Sequence, residues 1–203
     1  MDKHCIISLG REFGSGGHKI AQMISQQTGI PYYDNELIIL AAQRGELSER
    51  LLCRHDEKKH NTLLYEINYL GNKNVHKGDS VTNTLYLLQK DVILDIANKG
   101  DAVIVGRSAD YILADAGKNV LSVFIKAPKE YRIRRTMELE GLDEKTVTSL
   151  LKKKDKRRKD FYESRTGMKW GDAGHYDMVF DTSECDFNFV VDAIIEKWKC
   201  CKQ

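Results

Sequence analysis

The sequence holds no C-x-x-C pair, no long apolar run and no large excess of charge of either sign. Its cysteines, Cys5, Cys53, Cys185, Cys200 and Cys201, are odd in number and lack metal-ligand spacing, which argues against a disulfide framework and a zinc site. A reducing cytoplasm is the expected compartment. The formal charge of +2 gives no bulk pull toward nucleic acid or membrane. The opening MDKHCIISLG has no apolar stretch long enough for a signal peptide or membrane span, so an unexported protein is expected. The six histidines show no ligand spacing and no metal site is expected. No Ser-His-Asp arrangement can be argued either. What remains is a chain of 203 residues, 41% hydrophobic, long enough to bury a large core without staples.

Residues Cys5 to Ile24, CIISLGREFGSGGHKIAQMI, combine a β-branched apolar run, a loop with Gly10, Gly14, Gly16 and Gly17, and an amphipathic helical pattern. Backbone N–H groups of such a loop, with those of the helix's first turn, form a concave site suited to phosphate. The loop is nevertheless deficient. Against G-x-x-x-x-G-K-[ST], Arg11 falls on the first glycine, Gly16 on the second, Gly17 on the lysine and His18 on the hydroxyl residue. Lys19 lies two residues past the lysine position and leaves the helix on nearly the opposite side. Arg11, at the loop's mouth, is the candidate replacement cation. A tight glycine turn that only lets strand and helix pack is the alternative.

Strand and helix signals alternate along the chain. β-rich runs occur at Cys5–Leu9, Ile30–Tyr33, Ala102–Val105, Val120–Ile125 and Met178–Phe180. Leu85, Leu88, Val92 and Ile96 recur at helical intervals, with Asn83 placed to cap the start and Gly100 the end. Pro128 suits the first turn of a helix toward Glu140 that Gly141 closes, and Val190, Val191, Ile194, Ile195 and Trp198 give the last helix an apolar face. Five strands separated by helices imply an α/β fold with a mostly parallel sheet covered on both faces. Ligands of such sheets bind at the carboxyl ends of the strands, where the glycine loop lies.

Two regions break the rhythm. Glu46 to Val81 is polar and reads as a helical insertion, either closing over a substrate or serving as a solvated connector. Lys152 to Lys159, KKKDKRRK, lies in a helical stretch anchored by Leu150, Leu151 and Phe161. Without interleaved aromatics it does not point to nucleic acid.

GIPYYDNELI at Gly29–Ile38, VIVGRSADYIL at Val103–Leu113 and DKRRKDFYESRTGMKWGDAGHYDMVFDTS at Asp155–Ser183, together with GREFGSGG, resemble the cytidylate kinase-like family. The similarity runs through nearly the whole chain in the same order. That family is a branch of the P-loop nucleoside monophosphate kinases whose loop reads R-E-x-G-S-G-G, so the missing lysine is a family trait. The resemblance implies a three-layer P-loop kinase fold with a five-stranded core, a helical insertion and a short basic lid around residues 152–170. It also implies transfer of the γ-phosphoryl group of ATP, with Mg²⁺, to CMP, dCMP or a related small phosphorylated acceptor. Two alternatives stay open: a kinase for another acceptor, and a nucleotide-binding protein that keeps the cradle without efficient catalysis.

Gly14, Ser15, Gly16, Gly17 and His18 are the candidate nucleotide-binding residues, and Arg11 and Arg157 the candidate catalytic cations. Arg107 follows the glycine ending a strand, as in the Gly-Arg pair that similar kinases use near the acceptor phosphate, where a guanidinium fork fits two oxygens. An ion pair with Asp110 is its structural alternative. Asp34 matches an acidic acceptor position of those kinases, or caps a helix starting near Asn35. Asp155 and Arg158, three residues apart on one helix face, resemble the lid pair that contacts the acceptor nucleoside. Arg157 points elsewhere, toward the transferring group or, as on any amphipathic helix, toward solvent. Asp177 is expected to order the lid's return. A homodimer is the default expectation.

Overall fold

The computed structural model describes residues 4–34 and 81–202. The expected insertion from Glu46, and the helix near Asn35, lie outside the described residues. Five strands, β1 (Ile6–Arg11), β2 (Tyr32–Tyr33), β3 (Ala102–Val105), β4 (Val120–Lys126) and β5 (Met178–Asp181), form one sheet in the order β2-β3-β1-β4-β5. Every pairing is parallel. The described helices are α1 (Gly17–Thr28), α2 (Val81–Lys99), α3 (Ala109–Asp115), α4 (Lys129–Glu140), α5 (Glu144–Thr166) and α6 (Phe187–Cys201).

Alternation along the central strand divides the core into two. Ile7 and Leu9 of β1 face one side, where Ile20, Ala21 and Ile24 of α1 and Val190, Val191, Ile194 and Ile195 of α6 bury them. Ile6 faces the other side, against Leu88, Val92 and Ile93 of α2 and Ala109, Ile112 and Leu113 of α3. A strand buried on both faces reads as a continuous apolar run, which is how β1, β3 and β4 were visible in the sequence. The result is a three-layer α/β sandwich.

Boundaries follow local chemistry. The Oδ1 of Asp143 accepts from the N–H of Thr146 at 3.0 Å to start α5, and Asp186 does the same for Phe189 in α6. Pro128 stands at the N-cap of α4, one residue before its first turn, and Gly141 closes it. Asn83 does not cap α2: it lies within the helix, and its Oδ1 accepts from Arg165 of α5 at 2.9 Å. KKKDKRRK forms part of α5, a 23-residue helix. At 1.5 Å per residue that helix is about 35 Å long and carries the basic run across the carboxyl ends of the strands. No described helix is long and apolar enough to cross a membrane.

Candidate active site

The loop between β1 and α1 stands at the carboxyl end of the central strand. Gly16 is the N-cap of α1 with φ of 93°, a left-handed conformation that a side chain resists. A Cβ there would also collide with the ring of Phe187. At Gly17 a Cβ would meet the Cβ of Arg11 at 2.7 Å. The position where the usual motif carries lysine is therefore closed to a side chain in this packing, with Arg11 and Leu9 occupying the space.

Ser15 is fully buried, and its Oγ donates toward the carbonyls of Glu12 at 2.9 Å and Ile125 at 3.0 Å. Its hydroxyl anchors the loop to β4. The Ser15 carbonyl accepts from the Thr182 hydroxyl at 2.8 Å, tying the loop to the end of β5. What the loop offers a ligand is thus its backbone. The first-turn N–H groups of α1 have no intrahelical acceptor by helix geometry.

A cleft of about 260 Å³ opens beside the loop, near the lower end of small-molecule sites, which begin at roughly 300 Å³. Arg11, Arg107, Lys154, Arg157 and Arg158 line it, against the carboxylates of Asp34 and Asp110. Phe13, Phe161, Tyr162, Trp170 and Tyr176 give it apolar walls. Cations outnumber carboxylates, which suits an anionic ligand. Five of the residues singled out from sequence, Arg11, Asp34, Arg107, Arg157 and Arg158, thereby meet in one cavity.

Asp34 joins two parts of the loop. Its Oδ1 accepts from Nη2 of Arg11 at 3.0 Å, and its Oδ2 lies 3.1 Å from Nδ1 of His18. Arg11 lies across Gly106, with Nη1 where a Cβ of that glycine would be. Lys19 is exposed.

The lid residues divide differently from the expectation. Asp155 does not line the cleft: its Oδ1 accepts from the Phe13 N–H at 2.7 Å and its Oδ2 from Nη1 of Arg132 at 2.5 Å. The sequence spacing set Asp155 and Arg158 on one helix face, and both do address one object. That object is the loop, since Nη1 of Arg158 donates to the Arg11 carbonyl at 3.2 Å.

Residues of the strand ends complete the site. Gly106, Arg107 and Ser108 form a left-handed run with φ of 77°, 60° and 53°, strained for the two that bear side chains. Ser108 Oγ is buried with no hydrogen-bond partner among the described residues. Asp110 pairs with the Tyr162 hydroxyl, which donates to its Oδ2 at 2.8 Å. Burial raises the Asp110 carboxyl above its ordinary value, partly offset by that hydrogen bond. Burial and the nearby carboxylate raise the Tyr162 phenol, and burial pushes Tyr176 up to about 12. Arg132, on α4, is 8% exposed and holds the loop from beneath. No pattern in the sequence singled it out. Asp177 accepts from the backbone N–H and hydroxyl of Ser122 at 2.8 and 2.7 Å, joining the return from α5 to β4.

Glycine loop, parallel sheet and basic helix together define a P-loop kinase fold. A sequence model of the cytidylate kinase-like family matches residues 6–184, and the chain belongs to that family. A cytidylate kinase of Methanocaldococcus jannaschii is 32% identical over 106 residues, which is 50% of this chain and 60% of that protein. The match therefore spans less than two thirds of that relative's length. A crystal structure of an uncharacterized protein from Eubacterium ventriosum is 31% identical and superposes with a TM-score of 0.70, covering 96% of this chain and 98% of the other. Shikimate kinase from Bacteroides thetaiotaomicron shares the fold at 13% identity, with a TM-score of 0.51 over 95% of each chain.

Proposed function

We propose that the protein is a phosphotransferase that moves the γ-phosphoryl group of ATP to CMP, dCMP or a related small phosphorylated acceptor. The observation that carries the reading is the cationic cleft of Arg11, Arg107, Lys154, Arg157 and Arg158 beside the glycine loop, at the carboxyl ends of the strands. In this reading the backbone of Gly14, Ser15, Gly16, Gly17 and His18 cradles the donor. Arg107 and Arg158 face the acceptor with Asp34, and Arg11 and Arg157 neutralise charge on the group in flight. Phosphoryl transfer asks little covalent chemistry of the protein, since most of its catalysis is alignment and neutralisation of the equatorial oxygens. The aromatic walls and α5 keep water from the donor.

Mg²⁺ would enter on the phosphates of ATP. Among the described residues no cluster of three or more acidic, histidine or cysteine side chains could hold it, and the loop position that usually supplies a hydroxyl is His18.

The ion pair between Arg11 and Asp34 favours one second reading, a nucleotide-binding protein without efficient catalysis, because the charge of the candidate replacement for lysine is partly offset. A scan of nucleoside monophosphates and phosphorylated metabolites with MgATP, following ADP release beside ligand-induced thermal shifts, separates the two. Turnover with an acceptor supports the kinase. A thermal shift without turnover supports the binding protein.

A further inference from the structure

Phe13 stands between the end of β1 and Gly14, and both of its backbone polar groups are held by side chains from other elements. Its N–H donates to Asp155 of α5 at 2.7 Å, and its carbonyl accepts from Nη1 of Arg132, on α4, at 3.0 Å. The same Nη1 reaches the second oxygen of Asp155, so carboxylate, guanidinium and the Phe13 backbone close a ring. Arg132 is fixed in turn: its Nε donates to the Ala127 carbonyl at 3.0 Å and lies 3.5 Å from Glu12 Oε2. That Glu12 oxygen accepts from the Ala127 N–H at 3.0 Å. One turn along α5, Arg158 donates to the Arg11 carbonyl and lies over the Phe13 ring at 5.7 Å. Charge-assisted bonds of this kind are the stronger ones, and here they meet on three consecutive residues, Arg11 at the end of β1 and Glu12 and Phe13 of the loop.

We propose that Asp155 and Arg132 are positioning residues that lock the glycine loop to α5, so that the loop keeps its ligand-binding shape only while that helix is docked on it. Asp155 then acts on the donor side through Phe13, and not on the acceptor. Undocking α5 requires release of the Phe13 N–H and the Arg11 carbonyl, so the cradle loosens as the basic helix leaves. By linkage, whatever binds the loop must favour the docked helix by the same factor. The name of the loop's ligand rests on the reading above; the lock itself does not.

Amide hydrogen exchange on the full chain without nucleotide tests the lock, with calorimetric titration of ATP as a second measurement. Asp155→Ala removes the acceptor for Phe13, whereas Asp155→Asn keeps an oxygen and loses the charge. Should Asp155→Ala fail to fold with Arg132 left unpaired, the double change Asp155→Leu with Arg132→Met removes both charges. The expected result is exchange at Phe13 and Gly14 faster by roughly tenfold or more in the Ala or double variant, intermediate in Asp155→Asn, and unchanged at Ile20 and Ile24 of α1. Unchanged Phe13 exchange in a folded variant overturns the proposal, and so does equal acceleration in the loop and in α1. If ATP binds nowhere while Phe13 responds as expected, the functional reading fails and the lock stands.

Discussion

The guanidinium of Arg11 and the carboxylate of Asp34 lie 3.0 Å apart in the cleft, with side chains only 15% and 10% exposed. A cation held this way is oriented, but its charge is partly cancelled until an anion competes for it. Arg11→Ala is therefore expected to lower turnover by on the order of a hundredfold, as loss of a charge contact to the transferring group would. Lys19→Ala is expected to change little, since Lys19 is exposed. Steady-state kinetics with MgATP and CMP check both. Wild-type turnover in Arg11→Ala, with a large loss in Lys19→Ala, would reverse the assignment of the loop.

Gly16 and Gly29 bracket α1, both with positive φ, yet they differ in surroundings. A Cβ at Gly16 collides with Phe187, while one at Gly29 meets nothing within 4 Å. Gly29→Ala should thus cost only the backbone strain, about 1 kcal/mol, and Gly16→Ala that strain plus a steric clash, about 2–4 kcal/mol in all. Urea unfolding of the two variants measures the difference. Phe187→Leu should recover part of the loss in Gly16→Ala and none in Gly29→Ala.

The sheet was legible because β1, β3 and β4 are apolar on both faces and bounded by Gly or Asp, and α6 because its buried residues recur at helical spacing. The loop was legible from its glycines. Where side chains point across the fold was not. Nothing local tells that Ser15 turns its hydroxyl into the core, that Asp110 finds Tyr162 52 residues away, or that Asp155 reaches back 142 residues to Phe13. The last two pairings are set by the docking of α5 against the glycine loop and α3, which no period in the sequence encodes. Arg132 escaped notice because an inward arginine on a short helix looks like any surface charge until its partners are in place.

Arg157 and Arg158 are neighbours in sequence that line one cleft. Arg158 already donates to the Arg11 carbonyl and stacks on Phe13, while both line the cleft. Arg158→Ala is accordingly expected to raise the KM values for both acceptor and ATP, because it frees the loop as well as removing a cation. Arg157→Ala is expected to lower kcat with smaller changes in KM. Small and equal effects of the two changes would return the basic run to a solvated helix face.

Asp110 gives the fold a pH signature with a definite sign. Burial raises its carboxyl above the ordinary value of 3.8, so over the window from that value up to the folded-state value the native chain holds a proton that the unfolded chain has released. Stability contributed by the group is present at the acid end and declines as pH rises through the window. Glu12, also raised by burial, acts in the same direction and is left in place by changes at Asp110. Asp110→Asn carries no titrating group there, so its melting temperature relative to wild type should climb as pH rises above the ordinary carboxylate value. Tyr162→Phe removes the hydrogen bond that holds the Asp110 carboxyl down, and should steepen the wild-type decline. Thermal unfolding of the three proteins across that range decides the matter. A constant offset between Asp110→Asn and wild type, or a Tyr162→Phe curve parallel to wild type, would mean that Asp110 is ionised across the range and that its bond to Tyr162 is an ordinary carboxylate contact.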